Sequence, residues 1–176
     1  MIRQLLQRTL LRRRDLAAIE LLVCDVDGVL TDGGLHYDAQ GQVLKRFDVR
    51  DGLAIRMLQR AGIEVAFLSG GRSGAIEQRA AHLDIRHCLV GVGDKLQCAR
   101  QQTAFIGDDL NDLTVRPATG LLISPADGAP GLRRQADWVL RRRGGDGAVR
   151  ELAEALLQQR GLWRQLNREG WREGNA

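Results

Sequence analysis

The chain has 176 residues, 44% of them hydrophobic and 27% charged, with a formal net charge of +4. That length favours one domain with a sizeable core over two, and no apolar stretch approaches the roughly 18 residues that a membrane span requires. Arginines crowd both ends, but aromatics make up only 4% of the chain and no nucleic-acid motif accompanies the charge, so solvated helix faces or an anionic substrate explain the arginines better than a nucleic-acid partner does.

In chain order, "MIRQLLQRTLLRRRDL" sets Ile2, Leu5, Leu6, Thr9 and Leu10 on one helical face, and its arginines interrupt any signal-peptide core. A basic amphipathic helix is expected over 1–18. Short apolar runs follow at 21–24, 65–68, 88–90, 104–106, 120–123 and 138–140, separated mostly by segments of helical spacing. In "GLAIRMLQRAG", Ala54, Met57, Leu58 and Ala61 share a face before Gly62, and "GAIEQRAAHL" starts a second helix at Ser73 or Gly74. This alternation predicts an α/β domain over 19–158, built on a doubly wound, Rossmann-like, mostly parallel sheet. Residues 159–176 read as a polar tail.

One segment breaks the alternation. In "GLHYDAQGQVLKRFDV", Leu35/Tyr37 and Val43/Phe47/Val49 have period-two placement about a turn at 38–41, so a β-hairpin over 33–49 is expected just beyond the first strand. Cys24, Cys88 and Cys98 are odd in number and lack CxxC spacing, which reads as reduced thiols in a cytoplasmic protein. His36, His82 and His87 share no ligand spacing and are read as non-catalytic. Trp163 and Trp171, with the arginines around them, read as a terminal helix packed on its own protein.

The chemistry lies where the strands stop. Asp25 and Asp27 follow the first strand, Ser69-Gly70-Gly71-Arg72 the second, Asp94-Lys95 the third, and Gly107-Asp108-Asp109 the fourth. In an open parallel sheet the ligand crevice lies beyond the carboxyl ends of the strands. Carboxylates gathered at the end of a buried strand repel one another unless a cation, a hydrogen-bond network or a proton compensates them. A carboxylate nucleophile, a second carboxylate for acid and base work, a hydroxyl beside glycine amides, a lysine, and an acidic pair for a hard cation such as Mg²⁺ make a phosphoryl-transfer site.

Over roughly residues 18 to 155, "DVDGVLTD", "LSGG", "GDK" and "GDDLND" resemble the four ordered motifs of the haloacid dehalogenase-like phosphohydrolases. "DVDGVLTDG", "FDVRDGLAIRML" and "GGDGAVREL" are similar to the branch that holds the phosphatases of 3-deoxy-D-manno-octulosonate 8-phosphate and of the sialic-acid 9-phosphates. The resemblance implies that Asp25 forms an aspartyl-phosphate while Asp27 serves as acid and then base. It implies Mg²⁺ held by Asp25, the Asp27 carbonyl and Asp108, with Asp109 in support and Asp112 more peripheral. Ser69 and Gly70 would hold the phosphate, and Lys95 would steady phosphate and nucleophile. Arg72 and Arg150 are the candidates for the carboxylate of a phosphorylated sugar-acid substrate used in lipopolysaccharide. The stretches between the motifs leave no room for a cap domain, and in that branch a homotetramer through the hairpins closes the site.

Two departures stand out. Gly71 sits where the branch more usually has arginine, and the connection carrying Lys95 is near the lower limit of about 10 to 12 residues for a βαβ crossover. A displaced Lys95 would leave a catalytically weak oligomerisation or binding module as the rival reading. A nine-carbon sugar-acid 9-phosphate is the rival substrate.

Overall fold

The computed structural model describes residues 16–71, 74–92 and 102–171. The expected helix at the amino terminus therefore lies mostly outside the described residues, apart from a 3-10 turn at Leu16–Ala18. Lys95, Asp94, Arg72, Ser73 and Cys98 lie outside them too.

The strands are β1 (Leu21–Cys24), β2 (His36–Tyr37), β3 (Val43–Leu44), β4 (Glu64–Ser69), β5 (His87–Val90), β6 (Thr103–Ile106), β7 (Leu121–Ser124) and β8 (Trp138–Val139). The helices are α1 (Val49–Arg60), α2 (Gly74–His82), α3 (Pro130–Gln135), α4 (Ala148–Gln159) and α5 (Trp163–Glu169). Six strands pair in parallel in the order β5-β4-β1-β6-β7-β8, while β2 and β3 form a separate antiparallel hairpin. The expected doubly wound α/β sheet is present. Its central strands read as unbroken apolar runs because both faces are covered. Leu22, Cys24, Phe67 and Ile106 pack with α1 and α4 on one side. Val23, Leu68, Phe105 and Leu122 pack with Val115 and Leu132 on the other.

After β1 the chain crosses to β4 on one side, whereas β6, β7 and β8 extend the sheet on the other. The order therefore reverses at β1 and β6, the position where doubly wound sheets open a ligand crevice. Cys24 is level with Ile106, and the Asp25 amide donates to the Ile106 carbonyl at 2.9 Å, so both strands end on one rim.

In the hairpin His36 pairs with Leu44 and Tyr37 with Val43. The Asp38 carboxylate closes the turn by accepting from the Gln40 and Gln42 amides at 2.9 and 2.7 Å. From Val43 the chain stays extended, with Val43, Lys45 and Phe47 partly covered and Leu44 and Arg46 exposed. Asp48 then caps α1 by accepting from the Arg50 amide at 2.7 Å. Val49 departs from the expected strand pattern: it is the first residue of α1 and is 79% exposed. At the other end of the chain α5 rests on the main core through Trp163 and Leu166, with Trp171 beyond it.

Candidate active site

The loop after β1 is wound tightly around one carbonyl. Val26 O accepts from the amides of Val29, Leu30 and Thr31, and the buried Thr31 hydroxyl accepts from Gly28 and Gly33 at 3.3 and 3.2 Å. Asp32 orders the loop, accepting from the Gly34 amide at 3.0 Å. Gly28 is required twice over: its φ is +83°, and a Cβ built there would lie 2.1 Å from Asp108 Oδ2. Backbone and carboxylate can approach this closely only at a glycine.

Asp25 is 5% exposed, and it offers an oxygen within 4.8 Å of oxygens from Asp108 and Asp112. Burial, followed by the charges of Asp25, Asp112 and Asp109, pushes the Asp108 carboxyl up to about 8. Three carboxylates this close, one of them forced toward its neutral form, make a donor set for a hard oxygen-seeking cation. Among the described residues the cluster includes Asp112, expected to be more peripheral, and does not include Asp109, expected in support. Asp112 belongs to the cluster; it is fully buried, and its Oδ2 accepts from the Asp108 and Asp109 amides at 2.9 and 3.2 Å. Asp109 is exposed and starts the 3-10 turn Leu110–Val115, its side chain accepting from the Leu110 amide at 2.7 Å. In "GDDLND", an aspartate three positions after Asp109 returns to the strand end because that turn is tight.

β4 delivers Ser69, which is 1% exposed and whose Oγ accepts from the Gly71 amide at 3.0 Å. Gly70 is exposed beside it. A Cβ at position 71 would lie 2.9 Å from Asp27 Oδ2 and 3.3 Å from Ser69 Oγ, so a side chain there would press on both groups. This gives a physical reason for glycine at position 71. Asp27 is partly exposed, and its Oδ1 accepts from the Lys45 ammonium, whose side chain is 2% exposed. Lys45 was missed in the sequence, although it shares the inward phase of Val43 and Phe47.

The segment Arg141 to Gly147 covers the far side of the β1 loop. A Cβ at Gly144 would lie 1.8 Å from the Gly28 carbonyl, and the Gly145 amide donates to Val29 O at 2.9 Å. Arg50 joins Asp48 to Asp146, and Arg46 donates to the Gly145 carbonyl at 3.1 Å. Beneath them the buried Asp51 accepts from the amides of Arg150 and Gly147 at the start of α4. The Arg150 guanidinium turns instead to Glu154 at 2.7 Å and lies over Trp163, 5.2 Å from the ring centre. Those partners lie along α4 and α5, not at the carboxylate cluster.

No family model matches the chain. It is 44% identical over 151 residues to the 3-deoxy-D-manno-octulosonate 8-phosphate phosphatase KdsC of Yersinia pestis, covering 80% of this chain and 81% of that protein. Among solved structures it resembles the Moraxella catarrhalis 3-deoxy-D-manno-octulosonate 8-phosphate phosphatase in complex with magnesium, phosphate and KDO. The TM-score there is 0.84 at 34% identity, over 88% of this chain and 94% of that one. A Legionella pneumophila hydrolase of the HAD superfamily, subfamily III A, also gives 0.84 at 34% identity, over 93% and 95%.

Proposed function

Because the chain belongs to the 3-deoxy-D-manno-octulosonate 8-phosphate phosphatase family of haloacid dehalogenase-like hydrolases, we propose that it hydrolyses that phosphate monoester to the free sugar acid and inorganic phosphate. The observation that carries this reading is the cluster of Asp25, Asp108 and Asp112 at the strand-order reversal, with Asp27 and Ser69 brought together beside Gly71. Magnesium, which the Moraxella relative holds, fits that donor set. When bound it would supply positive charge against the phosphoryl oxygens.

The catalytic domain is taken as residues 19–158. Asp25 Oδ attacks phosphorus as the bond from phosphorus to the sugar oxygen breaks, leaving a phosphoryl group on the Asp25 carboxylate. Asp27, two residues on in the turn, gives its proton to the departing alkoxide. It then takes a proton from the water that attacks the same phosphorus, and that attack frees inorganic phosphate and restores Asp25. Ser69 and the Gly70 amide hold the phosphate, and Lys95 steadies it from beyond β5. Asp108 and Asp112 join Asp25 as the metal carboxylates, with the Asp27 carbonyl, while Asp109 caps the turn that presents them. Arg72 remains the candidate for the sugar carboxylate. Arg150 is the second candidate, at a neighbouring subunit's site; within its own chain Glu154 and Trp163 engage its guanidinium.

We further propose a cytoplasmic homotetramer closed through residues 33–49. The hairpin supports this by exposing Leu35, Tyr37 and Leu44 at 51%, 66% and 58%, with Val49 just beyond it. No helix among the described residues is long and apolar enough to cross a membrane. The test is phosphate release from the eight- and nine-carbon sugar-acid phosphates, with Mg²⁺ and with EDTA. Magnesium-dependent release that favours the eight-carbon ester supports the reading; preference for the nine-carbon ester, or release unaffected by EDTA, contradicts it.

A further inference from the structure

We propose that Lys45 is a positioning residue for the acid and base step, aiming the Asp27 carboxyl at the phosphate loop from the hairpin arm. The inference rests on the phosphatase reading above and adds to it a residue outside the four motifs.

One contact and one placement fix the direction. Lys45 holds Asp27 through Oδ1. The other oxygen, Oδ2, faces Gly71, where a Cβ would come within 2.9 Å of it and 3.3 Å of Ser69 Oγ. The ammonium thus takes one oxygen and turns its twin toward the loop that receives the phosphate, where the leaving alkoxide and later the attacking water must sit. Glycine at position 71 keeps that space open.

The placement of Lys45 supports the same conclusion. Its side chain is 2% exposed, while Asp27 is 31% exposed. A buried ammonium without a partner is strongly unfavourable, so the pair holds both ends in register. A carboxyl with two free rotations would spend much of its time aimed elsewhere, and misplacement of about 1 Å can cost roughly a hundredfold in rate. Lys45 follows β3 directly, on the face opposite Leu44, which is 58% exposed. The outer face of the arm is thus open to a partner while the inner face reaches the site.

The experiment compares wild type, Lys45→Met, Lys45→Gln and Lys45→Arg on two esters: an alkyl phosphate, which needs a proton on its leaving oxygen, and p-nitrophenyl phosphate, which scarcely needs one. For Lys45→Met, kcat/KM on the alkyl ester should fall by about tenfold to a hundredfold, with under about threefold loss on the aryl ester. KM should stay within about twofold, and Lys45→Arg should recover most of the loss. Thermal melting checks that each variant is folded, and Lys45→Gln carries the comparison if Lys45→Met is not. Equal losses on both esters, or a raised KM at unchanged kcat, would overturn the inference by making Lys45 a structural anchor or a substrate ligand. Wild type that releases phosphate from neither ester nor from the eight-carbon sugar-acid phosphate would overturn the phosphatase reading, and this inference with it.

Discussion

Two acidic groupings flank the β1 loop, and they are resolved in opposite ways. At the strand ends Asp25, Asp108 and Asp112 crowd together, and Asp108 is pushed up to about 8. At the junction of α1 and α4, Asp48 is held below the usual carboxylate range, first by its hydrogen bond from Arg50. Asp51 there accepts two backbone amides and is pushed up only to about 6, by burial. The junction is braced as a latch by Arg50 and backbone donors, although the buried Asp51 Oδ2 has no hydrogen-bond partner among the described residues. The cluster at the rim, where Asp112 also accepts two backbone amides, offers three carboxylates to a cation. The same residue type therefore marks a site in one place and a brace in the other, and the partners decide which.

The sharpest way to break this comparison is to remove the nucleophile. Asp25→Asn should reduce turnover by roughly a thousandfold or more without loss of fold, because it also relieves repulsion within the cluster. Activity within tenfold of wild type would erase the distinction. Next comes Asp112→Asn, expected to weaken the apparent Mg²⁺ affinity by roughly 10- to 100-fold, read as a shift of the activation curve to higher Mg²⁺. Asp109→Asn should move that curve far less, and a reversed order would restore Asp109 to the metal set.

The third prediction concerns the brace. The folded Asp51 carboxyl, at about 6, lies above its ordinary value of 3.8, so the folded chain binds that proton more tightly than the unfolded chain does. Its contribution to stability is therefore greatest below pH 4 and declines as pH rises to about 6. The decline is about 3 kcal/mol, and the difference between wild type and Asp51→Asn in urea melts across that window should reproduce its sign. Parallel curves would contradict it. The smallest effect is expected from Arg50→Ala: half-exposed ion pairs are worth little, and a melting shift of about 2 °C or less should result.

The strands were legible because burial on both faces leaves an unbroken apolar run; 21–24 was placed to the residue and 65–68 within one residue at each end. The site was legible where one strand end carried its own chemistry, as at Asp25, Asp27, Ser69 and Asp108. What sequence reading missed depends on distance. Lys45 reaches Asp27 across the hairpin turn, and Gly144 meets Gly28 across most of the chain. Asp112 looked peripheral because a tight turn, rather than the strand, brings it back. The Arg150 contacts with Glu154 and Trp163 were not legible because they form only once α4 and α5 are folded together.

The covalent role of Asp25 is tested most directly by quenching the enzyme in acid during turnover with Mg²⁺ and substrate, and mapping the phosphoryl group by peptide mass spectrometry. A phosphoryl group on Asp25, lost in Asp25→Asn, is expected. Steady phosphate release with the phosphoryl group on another residue, or with Asp25→Asn still turning over, would rule that role out.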